Sequence, residues 1–199
     1  GEKEFKETIG AANQVPLNTG VSGSIRVSSD DDWYCFTLPV DDTVTLQFSH
    51  EFVDSSSTYW TPAVYTENNS KLQSATWKGN AVSGSFGIAL SAGTYYLRVS
   101  NASYSSSATY TFSLSSSKIQ PPTKVTLTST LDGITVSWLG VSGAEKYRVI
   151  RTVDGVATKG NVSGTSWTDT NVEADKTHTY CVQSRFSGGT YSAASESKS

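Results

Sequence analysis

Apolar and polar residues alternate along most of this chain, in short runs separated by Gly, Ser, Asn and Asp. In the run "TYYLRVS", Tyr95, Leu97 and Val99 fall on one side of an extended strand, whereas Tyr96 and Arg98 fall on the other. No run shows the 3.6-residue period of an amphipathic helix. The pattern therefore predicts an all-β protein built from sandwiches of short strands.

The alternation predicts two tandem β-sandwich domains, residues 1–118 and 119–199. The Ser-rich stretch "SLSSSKIQPPTKV" separates them, because Pro121 and Pro122 cannot continue a central strand. After it the strand pattern restarts, with turn dipeptides such as Asp154-Gly155. The predicted strands of the first domain are 21–27, 33–38, 43–49, 60–66, 84–90, 94–100 and 109–115, and those of the second include 133–140, 146–153, 178–186 and 190–195.

Composition narrows the classes of function. The net charge of −3 offers no basic face for DNA or RNA, so we expect no nucleic-acid partner. No segment approaches the roughly 18 apolar residues of a membrane span, so we expect no membrane insertion. The sequence contains no Met, and we expect it to be a piece of a longer protein.

The two cysteines, Cys35 and Cys181, lack the CxxC spacing of a metal site. Strand alternation predicts that both thiols point away from the core. Their positions in different halves favour two unpaired side chains, although a disulfide between them stays open.

The second half resembles a fibronectin type III domain over nearly its whole length. Trp138 in "ITVSW", Tyr147 in "EKYRVIR" and Tyr180 in "THTYCVQS" carry the resemblance, after the opening Pro pair. The resemblance implies an immunoglobulin-like sandwich in which the Trp fills the core and the late Tyr makes a corner hydrogen bond. Such domains mostly serve as spacers.

The first half resembles the bacterial pre-peptidase C-terminal domain, a jelly-roll sandwich related to the collagen-binding domains of clostridial collagenases. The segments "LNTGVSGSI", "DDDWYCFTLP" and "LSAGTYYLRVS" carry this resemblance. It implies a secreted or cell-surface protein of bacterial origin, in which the domain accompanies a peptidase or another exported region.

The resemblance also implies calcium binding by an acidic N-terminal segment together with the Asp turn. The chain reads "EKEFKE" where the family reads Glu-x-Glu-Pro-Asn-Asp, which places Lys6 inside the expected ligand set. Calcium takes 6–8 oxygen ligands, and a divalent ion would neutralise clustered carboxylates. The alternative is that 30–32 is a solvated turn. The implied calcium ligands are Glu2, Glu4, Glu7, Asp30 and Asp32.

No enzyme site is evident in the sequence. His50 and His178 fall in different predicted domains, and HExxH, GxSxG or a Cys/His pair at a recognisable spacing is missing. Glu51 and Asp54 lie in a polar loop without any sign of a pocket. We therefore expect no catalysis.

Binding competes with a purely structural role. Tyr96 and Arg98 face away from the predicted core, and Trp77 in "SATWKGN" lies outside any clear strand. Exposed aromatic rings on a sandwich can stack on sugars or pack against an extended protein. The alternative is that Tyr96 covers its own sheet and Trp77 plugs the sandwich edge.

The sequence thus predicts a monomeric, non-catalytic accessory region of an extracellular or cell-surface bacterial protein, acting as a spacer, stabiliser or targeting module. The alternative is a substrate-binding module for a polysaccharide or an extracellular-matrix protein such as collagen.

Overall fold

The computed structural model describes residues 8–25, 30–54, 56, 58–101 and 108–199. It divides into two compact units, Gly1–Ser117 and Lys118–Ser199. The described residues form β-strands and two 3₁₀ turns, Ile9–Ala11 and Ser187–Gly189, and contain no α-helix. The predicted all-β class is confirmed. Within these residues, no helix is long and apolar enough to span a membrane.

The first unit is a sandwich of two sheets. One sheet has the order β1-β3-β9-β5-β6, with β7 also paired to β5, and the other has the order β2-β10-β4-β8. Every pairing is antiparallel except that of β1 with β3. The strands are β1 (Asn13–Gln14), β2 (Gly20–Ile25), β3 (Asp31–Leu38), β4 (Asp42–His50), β5 (Thr58–Thr66), β6 (Lys71–Ser74), β7 (Trp77–Lys78), β8 (Ser83–Leu90), β9 (Gly93–Asn101) and β10 (Ala108–Ser115).

Strand alternation builds the core of the first unit as the sequence predicted. Alternate residues of the two sheets face each other between the layers, where large apolar side chains exclude water. Phe48 is central and contacts the rings of Trp60 and Tyr110 at centroid distances of 5.8 and 5.6 Å. The buried members on β3, β4, β9 and β10 are, in that order, Tyr34, Phe36 and Leu38; Val44, Leu46 and Phe48; Leu97 and Val99; and Tyr110, Phe112 and Leu114.

The second unit has two three-stranded sheets, with the orders β11-β12-β15 and β14-β13-β16. Trp138 packs edge-on against Tyr147 at 5.4 Å between centroids, and Tyr180 is fully buried. The strands are β11 (Thr123–Thr130), β12 (Gly133–Leu139), β13 (Lys146–Val153), β14 (Val156–Val162), β15 (Ser166–Asp169) and β16 (His178–Arg185).

The hydrogen bond of Tyr180 differs from the corner bond that the resemblance implied. Its hydroxyl donates to Asp169 Oδ2 at 2.7 Å, and Arg151 Nε donates to the same oxygen at 2.6 Å. The bond to the backbone is instead made by Tyr147, whose hydroxyl accepts from the amide of Val141 at 2.8 Å. The buried carboxylate of Asp169 on β15 is thus hydrogen-bonded to side chains of both β13 and β16.

The predicted strand at 190–195 does not form as a regular strand. The segment follows β16 through separate hydrogen bonds, from the amide of Ser192 to the carbonyl of Ser184 and from Ser195 to Val182. Four strands were not predicted: β1, β6, β7 and β14. All but the last residue of β14 are exposed, so its sequence lacks the apolar alternation that marks a half-buried strand.

Candidate functional site

Two of the three predicted binding residues, Tyr96 and Arg98, lie on the outer face of the sheet β1-β3-β9-β5-β6. The register places Tyr96 between Cys35 and Tyr65 on neighbouring strands. The next outward residue of β9, Arg98, lies between Trp33 and Ala63. Tyr96 and Tyr65 are half-buried, so both rings keep part of their surface open to a ligand.

Arg98 is held in place by its neighbours on this face. Its Nη2 lies 2.7 Å from Asp31 Oδ2, and its Nη1 donates to the hydroxyl of Tyr65 at 3.4 Å. Burial by itself would lower the pKa of Arg98, but the hydrogen bonds to Asp31 and Tyr65 outweigh it and raise the pKa. The Trp33 ring packs against Tyr65 at 5.1 Å between centroids and is 7% exposed. Trp33 therefore lies on the same side of the sheet as Arg98 and packs beside Tyr65.

We call Tyr65, Tyr96, Arg98 and Asp31 the aromatic face. Sequence alternation identified Tyr96 and Arg98, because both oppose the buried residues of β9. It missed Tyr65 and Asp31, because their contribution depends on which strands lie next to β9. The run "WTPAVYT" did carry a signal, since Tyr65 alternates with the buried Val64.

Trp77 was wrongly expected as a ligand-binding residue: its side chain lies in the core, where it is 9% exposed. Its ring stacks on Phe48 at 5.4 Å between centroids and faces Phe86 at 6.5 Å. It also occupies the space beside Gly84, where a Cβ would lie 1.7 Å from Trp77 Nε1. Trp77 therefore plugs the sandwich where β8 carries no side chain, which was the alternative interpretation of this residue.

The Asp turn leads directly into β3, and its three carboxylates have different surroundings. Asp31 points outward to Arg98, whereas Asp30 is 2% exposed. Asp32 accepts a hydrogen bond of 2.5 Å from the hydroxyl of Tyr110, which in turn contacts the hydroxyl of Tyr34 at 2.7 Å. The interpretation as a merely solvated turn does not fit this burial.

Burial raises the pKa of Asp32 to about 6. The hydrogen bond from Tyr110 opposes this shift, while the charges of Asp30 and Asp31 add to it. Burial also raises the pKa of Tyr34 to about 12 and raises the pKa of Tyr110. Negative charge is thus unfavourable at this end of β3 unless a cation compensates it.

The structure addresses only part of the implied calcium site. Asp30 and Asp32 lie at the start of β3, but Glu2, Glu4 and Glu7 fall outside the described residues, as does Lys6. Among the residues that are described, no group of three or more His, Cys, Asp or Glu side chains could hold a metal ion.

Both histidines are engaged by backbone atoms. The Nδ1 and Nε2 atoms of His50 lie 2.7 and 2.9 Å from the carbonyl oxygens of Glu51 and Ala81. His178 Nε2 accepts from the amide of Glu173 at 3.1 Å. Asp54, like Glu51, is exposed to solvent. The imidazole of His50 therefore connects the end of β4 to the segment around Ala81, and that of His178 connects the start of β16 to the segment around Glu173.

Both thiols lie on outer faces, as strand alternation predicted. Cys35 and Cys181 are half-buried and free. Burial raises the pKa of each thiol above its ordinary value.

No protein-family profile matches the chain, and no curated protein matches it. Among solved structures, it is similar to the pre-peptidase C-terminal domain of a collagenase from Bacillus anthracis, with 21% identity and a TM-score of 0.42. That similarity covers 57% of this chain and 99% of the other. A two-domain fibronectin type III segment from chicken tenascin is 17% identical, with a TM-score of 0.41, over 84% of this chain and 95% of that one.

A β-1,2-glucanase from Parabacteroides distasonis is 16% identical, with a TM-score of 0.33, over 84% of this chain and 29% of that enzyme. The neighbours thus include both families that the sequence resembles, at low identity. At these identities and TM-scores, no ligand or activity follows for this chain.

Proposed function

We propose that this chain is a non-catalytic accessory region of an exported bacterial protein, and that its first unit targets that protein to a fibrous ligand. The observation that carries the proposal is the aromatic face, where Tyr65 and Tyr96 lie side by side next to a fixed guanidinium. The resemblance of the sequence to exported accessory domains supports the location outside the cell or at its surface.

The chemistry of the aromatic face suits an extended, proline-rich protein such as collagen. Such chains adopt polyproline II or triple-helical conformations with solvated backbone carbonyls, and they dock on surfaces lined by aromatic rings. The tyrosine rings offer flat apolar contact, while their hydroxyls and Arg98 can donate to carbonyl oxygens. Arg98 pairs with Asp31 at a side-chain exposure of 36%, so its guanidinium remains accessible at the surface.

The test is binding of the whole chain to immobilised triple-helical collagen, measured by surface plasmon resonance. Replacing Tyr96 by Ala removes the central ring, and we expect at least a tenfold loss of affinity, as for other aromatic hot spots. Arg98→Ala should give a similar loss. The matched control is Thr43→Ala, an exposed residue of β4 in the other sheet, which should bind within about twofold of the unmodified chain.

Equal binding by Tyr96→Ala and the unmodified chain would contradict a role for this face. If the chain binds no collagen but binds an insoluble polysaccharide through Tyr96, the targeting role holds and the ligand class changes. If it binds neither, the region is a spacer.

We also propose that Asp30 and Asp32 contribute to a calcium site. The support is the unfavourable negative charge at the start of β3, which burial and three adjacent carboxylates create. Calcium would be held there by carboxylate oxygens, and it would stabilise the fold without taking part in any reaction.

A further inference from the structure

The other sheet of the first unit has an outer face of a different kind. In β2, β10, β4 and β8, the residues that alternate with the buried ones are Ser, Thr, Gly, Ala and a single Gln. None of these outward residues is charged, although charged residues make up 17% of the chain. We call this surface the hydroxyl face.

The hydroxyl face contains a hollow of about 460 Å³. This volume lies within the range of roughly 300–1,000 Å³ that is usual for ligand sites. Gly20 contributes backbone without a side chain, and the small hydroxyl residues around it leave the space open. The side chains that matter for its chemistry are Gln47, Ser49, Ser83, Ser85, Thr111 and Ser113.

The depth of the hollow depends on the core beneath it. Gly84 cannot carry an inward side chain, because Trp77 fills that position, and Trp77 is itself supported by the ring of Phe48. The floor is therefore a rigid, well-packed sheet. Such a floor loses little conformational entropy when a ligand binds.

The polar groups of the hollow can both donate and accept hydrogen bonds. Each Ser or Thr hydroxyl has one donor and two acceptor positions, and the Gln47 amide adds two donors and an acceptor. Ser49 Oγ and Thr111 Oγ1 already form a hydrogen bond of 2.5 Å across β4 and β10, which orients both hydroxyls and leaves lone pairs for a ligand.

This chemistry selects a neutral, polyhydroxylated ligand. A charged ligand would lose hydration without meeting an opposite charge, and an apolar one would leave the hydroxyls without partners. The sheet is about 14 Å wide, from three strand spacings of about 4.8 Å, and it is open to solvent along its face. An open, wide surface suits a chain better than a single small molecule.

We propose that the hollow of the hydroxyl face binds a linear, uncharged polysaccharide. This site lies on the sheet opposite the aromatic face, uses different residues and does not depend on the function proposed above.

The test is affinity electrophoresis of the whole chain through native gels that contain arabinoxylan, glucomannan, mixed-linkage β-glucan or dextran. Polygalacturonate serves as the charged comparison. At least one uncharged polymer should retard the chain, and polygalacturonate should not. The combined variant Gln47→Ala, Ser49→Ala and Thr111→Val keeps the backbone of the sheet but removes three of the six polar side chains of the hollow, and it should weaken the affinity at least tenfold.

Two controls separate the site from its surroundings. Thr43→Val and Thr109→Val change outward residues of β4 and β10 that do not line the hollow. Both should migrate like the unmodified chain. If the combined variant melts at a lower temperature, Ser85→Phe on the edge strand β8 fills the hollow instead and should cause the same loss.

Four results would overturn the proposal. They are no retardation by any uncharged polymer, equal retardation of the combined variant, stronger retardation by polygalacturonate, and a dimer in sedimentation that Thr111→Lys dissociates. The last result would mean that a second copy of this chain binds to the hydroxyl face.

Discussion

The half-buried Asp32 and the buried Asp169 each accept a hydrogen bond from a tyrosine, yet their pKa values shift in opposite directions. Burial raises the pKa of Asp32 to about 6, and neighbouring carboxylates add to the shift. Burial would also raise the pKa of Asp169, but hydrogen bonds from Tyr180, the amide of Asn171 and Arg151 lower it below its ordinary value. The difference lies in the cation, which Asp169 has and Asp32 lacks in the described residues.

The Asp169 network predicts acid sensitivity of the second unit. A carboxyl whose pKa is lowered by folding contributes stability above its unfolded pKa, and this contribution is lost as the pH falls through the folded pKa. We therefore expect the melting temperature of the second unit to drop below about pH 4. Asp169→Asn should remove this dependence and, at neutral pH, cost about 3–5 kcal/mol because Arg151 Nε loses its buried carboxylate partner.

Circular dichroism melts between pH 2 and 7 would measure this effect. Glu196→Gln is the control, because Glu196 is 90% exposed and should change neither the stability nor its pH dependence. If the melting temperature of Asp169→Asn still falls at low pH as it does in the unmodified chain, Asp169 is not the group responsible.

At the start of β3, the prediction concerns calcium. In millimolar Ca²⁺ the first unit should melt at a higher temperature than in EDTA, by the equivalent of about 2.7 kcal/mol when calcium exceeds its Kd one hundredfold. Asp32→Asn should abolish the difference, whereas Asp54→Asn, an exposed acid of the same unit, should preserve it. Identical melts with and without calcium would show that this end of β3 holds no metal.

At the scale of the element, the pairing of β8 with its neighbours depends on Gly84. A Cβ at this position would collide with the Trp77 indole, which fills the core and cannot move without disturbing Phe48. Gly84→Ala should therefore destabilise the first unit by about 1–3 kcal/mol, the usual cost of overpacking. Urea denaturation followed by tryptophan fluorescence would measure it.

The control for this substitution is Gly20→Ala, since a Cβ on Gly20 meets no atom within 4 Å. Its stability should stay within about 0.5 kcal/mol of the unmodified chain. Equal stability of the two variants would mean that Trp77 is more mobile than its packing indicates.

Elements could be predicted from the sequence where one side of a strand is buried and the other is not. This held for β3, β4, β9 and β10, whose alternation is regular. It failed for β14, which is exposed at nearly every position, and for Trp77, which lies on a strand of two residues. Short and edge strands are stabilised by their neighbours, so their own sequences carry little signal.

The candidate sites show the same limit. Alternation within β9 was enough to place Tyr96 and Arg98 outside, but not to place Tyr65 and Asp31 beside them, because register is a property of paired strands. The hollow of the hydroxyl face draws on four strands that are far apart in sequence. The sequence of any one strand does not predict the hollow, since Ser and Thr are common on any solvent-facing sheet.

At the scale of the whole molecule, the buried apolar residues that the structure describes form two separate clusters. The apolar cluster around Phe48 draws only on the first unit, and the cluster around Trp138 only on the second. We therefore expect two unfolding transitions in calorimetry. Gly84→Ala should shift only one of them and Asp169→Asn only the other. A single cooperative transition that both variants lower equally would show that the units unfold together.

Because the hydroxyl face is uncharged, ligand binding there should depend little on the ionic strength of the solution. Attraction between exposed charges fades as ionic strength rises, because the Debye length shrinks from about 30 Å at 0.01 M to about 3 Å at 1 M. Contacts made by Arg98 and Asp31 would weaken accordingly, while hydrogen bonds to neutral hydroxyls would hardly change. The two sides of one sandwich therefore differ in their response to salt. The affinity of the hydroxyl face for its ligand would be nearly the same at high and at low ionic strength.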